Sequence, residues 1–249
     1  MASHDKSAEY SAIEVEETEQ RKSSMESLDL PMENPQLLDR PVHLNLISGT
    51  ARLAQGGVFG LGMIILGATA HAGMGFFSWH ILSNTTALIF ATQSILLLQP
   101  THTPIRKRQG ISWHFGLNVG SLSGFLAGLI IIEMNKHAHD GEHFKSFHAY
   151  LGAFTYVLLL LQGAVGFTQY YTPLLYGSVE RARSIWKYHR ACGYLTLISA
   201  CLTVAAAMHT EYNQVMLHIP AWIIYVALAL VLAGVLTRVR LLKLGISVA

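Results

Sequence analysis

Charged and apolar positions divide this chain into long blocks rather than alternating along it. From Leu53 to Ile105, Gln109 to Ile132, Ser146 to Val179, Ala191 to Thr210 and Tyr212 to Thr237 there is no Asp, Glu, Lys or Arg. A helix needs about 20 mostly apolar residues to cross a hydrocarbon core about 30 Å thick, and the first block is long enough for two. The blocks predict six spanning helices, over 53–75, 79–99, 112–134, 147–169, 187–209 and 218–241. Barrel strands would be short and alternating, whereas Val157 to Leu161 and Ile223 to Leu236 are apolar on nearly every face, as helices in lipid are. Breakers fall between the blocks: Pro100 and Pro104, Asp140-Gly141, Pro173 with Gly177, and Glu211 to Gln214.

Composition agrees with this reading. Charged residues are 13% of the chain and apolar ones 51%, against roughly 25% charged in soluble proteins. Residues 1–48 differ, being polar and rich in Ser and Glu with no apolar face to bury; they are expected to be a disordered cytosolic tail. No signal peptide is expected ahead of the first helix. Residues 49–242 are then the membrane domain and 243–249 a short cytosolic tail. Cationic residues cluster after the second helix (Arg106, Lys107, Arg108), after the fourth (Arg181, Arg183, Lys187) and at the C-terminal end (Arg238, Arg240, Lys243), while alternate loops are poorer. That asymmetry places both termini in the cytosol. The two cysteines, Cys192 and Cys201, fall on opposite faces of one helix, so metal chemistry here must lean on histidine.

Thirteen histidines are present, and four of them open helices. His80 begins the second, His114 the third, His148 the fourth and His189 the fifth. Successive helices of an up-and-down bundle alternate in direction, so the second and fourth start at one membrane face and the third and fifth at the other. His80 can then face His148 near the outer side, and His114 can face His189 near the cytosolic side. Two such pairs supply what six-coordinate haem iron needs, one axial nitrogen from each imidazole. Four residues after each histidine stand Asn84, Asn118, Gly152 and Gly193, none of them bulky and apolar. The third helix also carries Gly116, Gly120, Gly124 and Gly128, a stripe that fits helix packing and also permits close approach of a macrocycle.

These features resemble the cytochrome b561 family of six-helix membrane proteins with two haems. The resemblance spans about residues 50–242 and rests on the helix count, on one histidine for each of helices two to five, and on three stretches. These are Phe77-Ser78-Trp79-His80, Ser146-Phe147-His148-Ala149-Tyr150-Leu151-Gly152, and Tyr188-His189 with Gly193. It implies an all-α membrane fold in which helices two to five surround two b-type haems. His80 and His148 would hold the non-cytosolic haem, and His114 and His189 the cytosolic one. It further implies an oxidoreductase passing single electrons from cytosolic ascorbate to monodehydroascorbate or ferric iron. Arg106, Lys107 and Arg108 are candidates for attracting the anionic donor. His137, His139 and His143 share a loop with Asp140 and Glu142, a mixture that could dock a metal ion, although a solvated polar loop is the first reading. The expected partners are membrane lipid, the donor and the acceptor, with a homodimer compatible and no nucleic acid. The competing reading is a haem-free metal or proton transporter, which would want carboxylates within the membrane; Glu133 alone lies inside the predicted helix limits.

Overall fold

The computed structural model describes residues 41–99, 101 and 103–245; residues 1–40 of the expected 1–48 tail and 246–249 of the expected 243–249 tail lie outside them. A 3-10 turn over Val42–Ile47 leads into six long helices: α1 (Ala51–Ala72), α2 (Ser78–Leu98), α3 (Pro104–Ala138), α4 (Phe147–Tyr171), α5 (Trp186–Ala207) and α6 (Ala221–Leu236). No strand occurs among the described residues. Helices α1 to α5 are long and apolar enough to cross a membrane, α5 being taken together with the helical turn Val179–Ser184 before it. The 16-residue α6 is apolar throughout and about 24 Å long.

Several limits differ from the sequence expectation: α3 runs on to Ala138, so His137 is helical and does not share the expected loop with His139 and His143, and three further differences have a clear local reason. Helix α3 starts at Pro104, eight residues earlier than predicted, because proline at the first helical position starts a helix rather than breaking it. Thr103 caps it, its hydroxyl accepting from Arg106 N at 3.3 Å. Helix α6 is shorter than predicted. His218 takes a left-handed φ of 53° and Pro220 precedes the helix, while Asn213 bridges the gap with side-chain bonds to Met208 O at 3.0 Å and Ile219 O at 3.1 Å. Residues 42–47, assigned above to the tail, are folded. Asn45 is buried and donates to Leu97 O at 2.8 Å, and the guanidinium of Arg238 donates to Asn45 O and Ser48 Oγ at 3.1 and 3.3 Å.

In lipid, helices gain little from hydrophobic transfer between one another and associate through close packing. Helix α1 therefore meets α6 backbone to backbone: a Cβ on Gly57 would stand 2.5 Å from Ala227 O and 2.8 Å from Val231 N. Val58, Leu61, Ile224, Val231 and Val235 fill the seam around that crossing. Helix α2 packs along α3 and α4 along α5. The α3 glycines serve the first of these seams. Cβ atoms on Gly120 and Gly124 would press on Phe90 and Ala87 at 2.9 and 3.1 Å, whereas Gly116 has open space around it. Helices α3 and α4 touch little, and α4 buries only Thr155 and Gln169. One side of α4 thus faces outward with Val157, Leu160 and Leu161 exposed, as lipid-facing residues are. Its other side borders a gap between the α2/α3 and α4/α5 hairpins.

Candidate functional site

The four histidines meet across that gap in two pairs, three of them near the starts of their helices and His114 ten residues into α3. His80 faces His148 with ring centroids 6.4 Å apart and planes at 90°. His114 faces His189 at 6.5 Å and 84°. Three of the rings are oriented by a neighbouring backbone: Nδ1 of His80 lies 2.8 Å from Gly128 O, that of His114 3.2 Å from Ser94 O, and that of His148 2.9 Å from Thr203 O. An Nδ1–H given to a carbonyl leaves Nε2 as the unprotonated nitrogen on the opposite side of the ring.

The spacing fits an ion between the rings better than a bond joining them. With both Nε2 atoms on the line between the ring centres, nitrogen–metal distances of about 2.0 Å and about 1.2 Å from ring centre to nitrogen would put centroids about 6.4 Å apart across a shared iron. A direct hydrogen bond of about 2.9 Å would draw them to roughly 5.3 Å. Both pairs stand at the larger separation. The residues present therefore fit the two-ligand requirement of haem iron at both levels.

Small and polar neighbours complete each pair. Asn84 donates to His80 O at 2.7 Å and accepts from the Tyr156 hydroxyl at 2.9 Å. Asn118 donates to His114 O at 2.7 Å and to Ser94 Oγ at 3.0 Å. These bonds tie each histidine's own helical turn to a second element, and they explain the asparagines four residues after His80 and His114. Gly152 and Gly193 leave room on the facing hairpin, where added Cβ atoms would stand 3.6 Å from Thr203 Cγ2 and 3.7 Å from Gln162 Oε1.

Around His114 and His189 opens a cavity of about 490 Å³, with Asn118, Gly163, Gly166 and Gly193 in its wall. Its mouth is ringed by Lys107, Arg190, Arg238, Arg240 and Lys243, and no carboxylate lines it among the described residues. Arg190 donates to Lys243 O at 2.8 Å, and Lys107 sits 5.3 Å from the Trp186 ring. Burial pulls the Lys243 pKa below the ordinary lysine value, and repulsion from Arg240, Arg190 and Lys107 adds to the shift.

The structure does not bring the cationic triplet together. Arg106, Lys107 and Arg108 are helical, in the first turns of α3, so successive side chains diverge by about 100°. Arg106 donates to Asn45 Oδ1 at 3.2 Å, Lys107 lines the cavity, and Arg108 is exposed. The mouth cations from α5 and the C-terminal segment read from sequence only as topology signals; nothing in their spacing tied them to Lys107. At the other end, His143 lies 3.5 Å from Glu133 and His139 bonds Asn135 O at 2.8 Å. No group of three metal-binding side chains forms among the described residues.

Comparison with known proteins bears on the same stretch. The family model for eukaryotic cytochrome b561 matches residues 79–214, an interval that holds all four paired histidines. Two curated relatives, both named "Probable transmembrane reductase CYB561D1", are those of Mus musculus and Homo sapiens. Each is 25% identical over 171 residues, which cover 67% of this chain and 74% and 73% of the relatives.

Proposed function

The chain belongs to the eukaryotic cytochrome b561 family, and on that footing we propose that it holds two b-type haems and carries single electrons from a cytosolic, ascorbate-like donor to monodehydroascorbate or ferric iron beyond the membrane. Membership makes it an integral membrane oxidoreductase of transmembrane electron transfer, in a family that binds haem b. The observation that carries the finer reading is the pair of facing imidazole couples, at 6.4 and 6.5 Å.

His80 and His148 would hold one haem iron, and His114 and His189 the other. Haem b, when bound, supplies a one-electron ferric/ferrous couple. The protein's part is orientation and exclusion. Carbonyls of Gly128, Ser94 and Thr203 keep protons on Nδ1 and so hold Nε2 unprotonated. Asn84 and Asn118 fix the turns that bear His80 and His114. The apolar helices keep water and counter-ions from both levels. Lys107, Arg190, Arg238, Arg240 and Lys243 draw an anionic donor to the mouth beside His114 and His189. By the positive-inside rule, their concentration at one end supports the reading that this end, and both termini with it, are cytosolic.

A reduced-minus-oxidised spectrum of the purified protein, with haem quantitation, tests the reading. Two b haems per chain are expected, His148→Ala and His189→Ala each removing a different one. A colourless protein, or the same haem lost in both variants, sinks it.

A further inference from the structure

Three of the four imidazoles find their acceptor by one rule of register. Gly128 stands fourteen residues after His114 and receives His80; Ser94 stands fourteen after His80 and receives His114; Thr203 stands fourteen after His189 and receives His148. By that rule the fourth acceptor would be the backbone carbonyl of Gln162, fourteen residues after His148. Yet Nδ1 of His189 is buried and has no hydrogen-bond partner.

Gln162 is equally unmatched. It follows the apolar run Val157 to Leu161, is partly buried against the cavity, and its amide makes no hydrogen bond among the described residues. The two groups are neighbours. A Cβ on Gly166, one turn beyond Gln162, would stand 2.9 Å from His189 Cε1, and Gln162 Oε1 lies 3.7 Å from the Cβ position of Gly193, one turn beyond His189. Both residues line the same cavity.

We propose that Gln162 is the positioning residue of His189, its Oε1 accepting the Nδ1–H and so setting the ligand strength of the cytosolic haem independently of the other. The inference rests on the two-haem reading above. Acceptors on His80, His114 and His148 are backbone carbonyls fixed by their helices, whereas an amide side chain can turn toward or away from the ring. A hydrogen-bonded imidazole is the stronger donor to iron and favours the ferric state. Removing the acceptor raises the reduction potential, and a carboxylate in its place lowers it.

The test is a redox titration of the haem-loaded protein with low-spin ferric EPR, on the unsubstituted chain, Gln162→Met and Gln162→Glu. One of two components should move, up in Gln162→Met and down in Gln162→Glu, each by about a tenfold change in ferric preference, or roughly 59 mV. The EPR signal of that haem should change with it. Loss of that haem in Gln162→Met with retention in Gln162→Glu also supports the assignment. Potentials unmoved in both variants, both components moving together, a moved potential with an unchanged EPR signal, or loss of the haem in both variants overturns it. Absence of pigment in the unsubstituted chain instead removes the two-haem reading beneath it.

Discussion

Replacing Gly128 by alanine should remove one haem and spare the other. A Cβ on Gly128 falls on Asn84 Nδ2 and stands 2.9 Å from Asn84 Cγ. Asn84 cannot move freely, because it donates to His80 O and accepts from Tyr156, while Gly128 O itself orients His80 at 2.8 Å. Overpacking at such a seam costs about 1–3 kcal/mol, and the two displaced hydrogen bonds add about 1 kcal/mol each. A total of roughly 3–5 kcal/mol corresponds to a loss of about 100-fold to several thousand-fold in occupancy at the His80/His148 level. Gly116 supplies the control, since a Cβ there meets nothing within 4 Å and alanine gains about 1 kcal/mol of helix propensity. Haem per chain, measured by difference spectroscopy at limiting haem, should fall from two to one in Gly128→Ala and stay at two in Gly116→Ala. Adding His148→Ala to Gly128→Ala should remove nothing more. Two unaltered haems in Gly128→Ala, or equal losses in both glycine variants, would refute the reasoning.

Other consequences can be measured separately. Lys107→Gln should raise the donor KM several-fold at low salt, while Arg108→Gln, a change on the solvent side of α3, leaves it within about twofold; equal effects would contradict the split of the triplet. Lys243 attracts an anion only while protonated, and burial with its cationic neighbours depresses its pKa from 10.5. Donor affinity should therefore be full at neutral pH and fall as pH climbs through that lowered value, earlier than an ordinary lysine allows; Lys243→Arg should flatten the alkaline limb of a KM–pH profile, and a profile unchanged in that variant would exclude Lys243. Asn45→Ala removes the bonds to Leu97 O and from Arg106, about 1–3 kcal/mol together, and should lower the thermal midpoint without changing the haem spectrum. An unchanged midpoint would show that the 3-10 turn holds without Asn45.

Much of the fold was legible because lipid demands one kind of helix. Charge-free blocks located all six, and α2, α4 and α5 begin within a residue of expectation. Boundaries that failed were set by single polar or cyclic side chains. Pro104 acted as a starter, Asn213 bridged a connector that reads as plain loop, and Asn45 fixed a segment whose composition looks like tail. The facing of the rings was legible from alternation, since direction of travel decides which helix ends share a face, although α3 begins ten residues before His114. The ring of cations at the cavity was not. Lys107 and Lys243 meet at one mouth only after the C-terminal segment folds back on Arg190, and no local spacing encodes that return.

One register explains how so simple a chain builds two matching levels. Fourteen residues are just under four helical turns, so a histidine and the carbonyl fourteen residues later lie within about 40° of the same face and about 21 Å apart along the axis. On α2 that face carries His80 and Ser94; on antiparallel α3 it carries His114 and Gly128. Each helix therefore offers its imidazole at one end of the seam and receives its neighbour's at the other. Centred in a core about 30 Å thick, two levels about 21 Å apart would each fall about 5 Å inside a border. A residue inserted between His114 and Gly128 would turn one acceptor by about 100° relative to its donor. The spacing within a single helix is thus a constraint shared by both sites, which is why α3 carries glycines along its seam with α2, where the backbones must hold register, rather than apolar side chains that could slide.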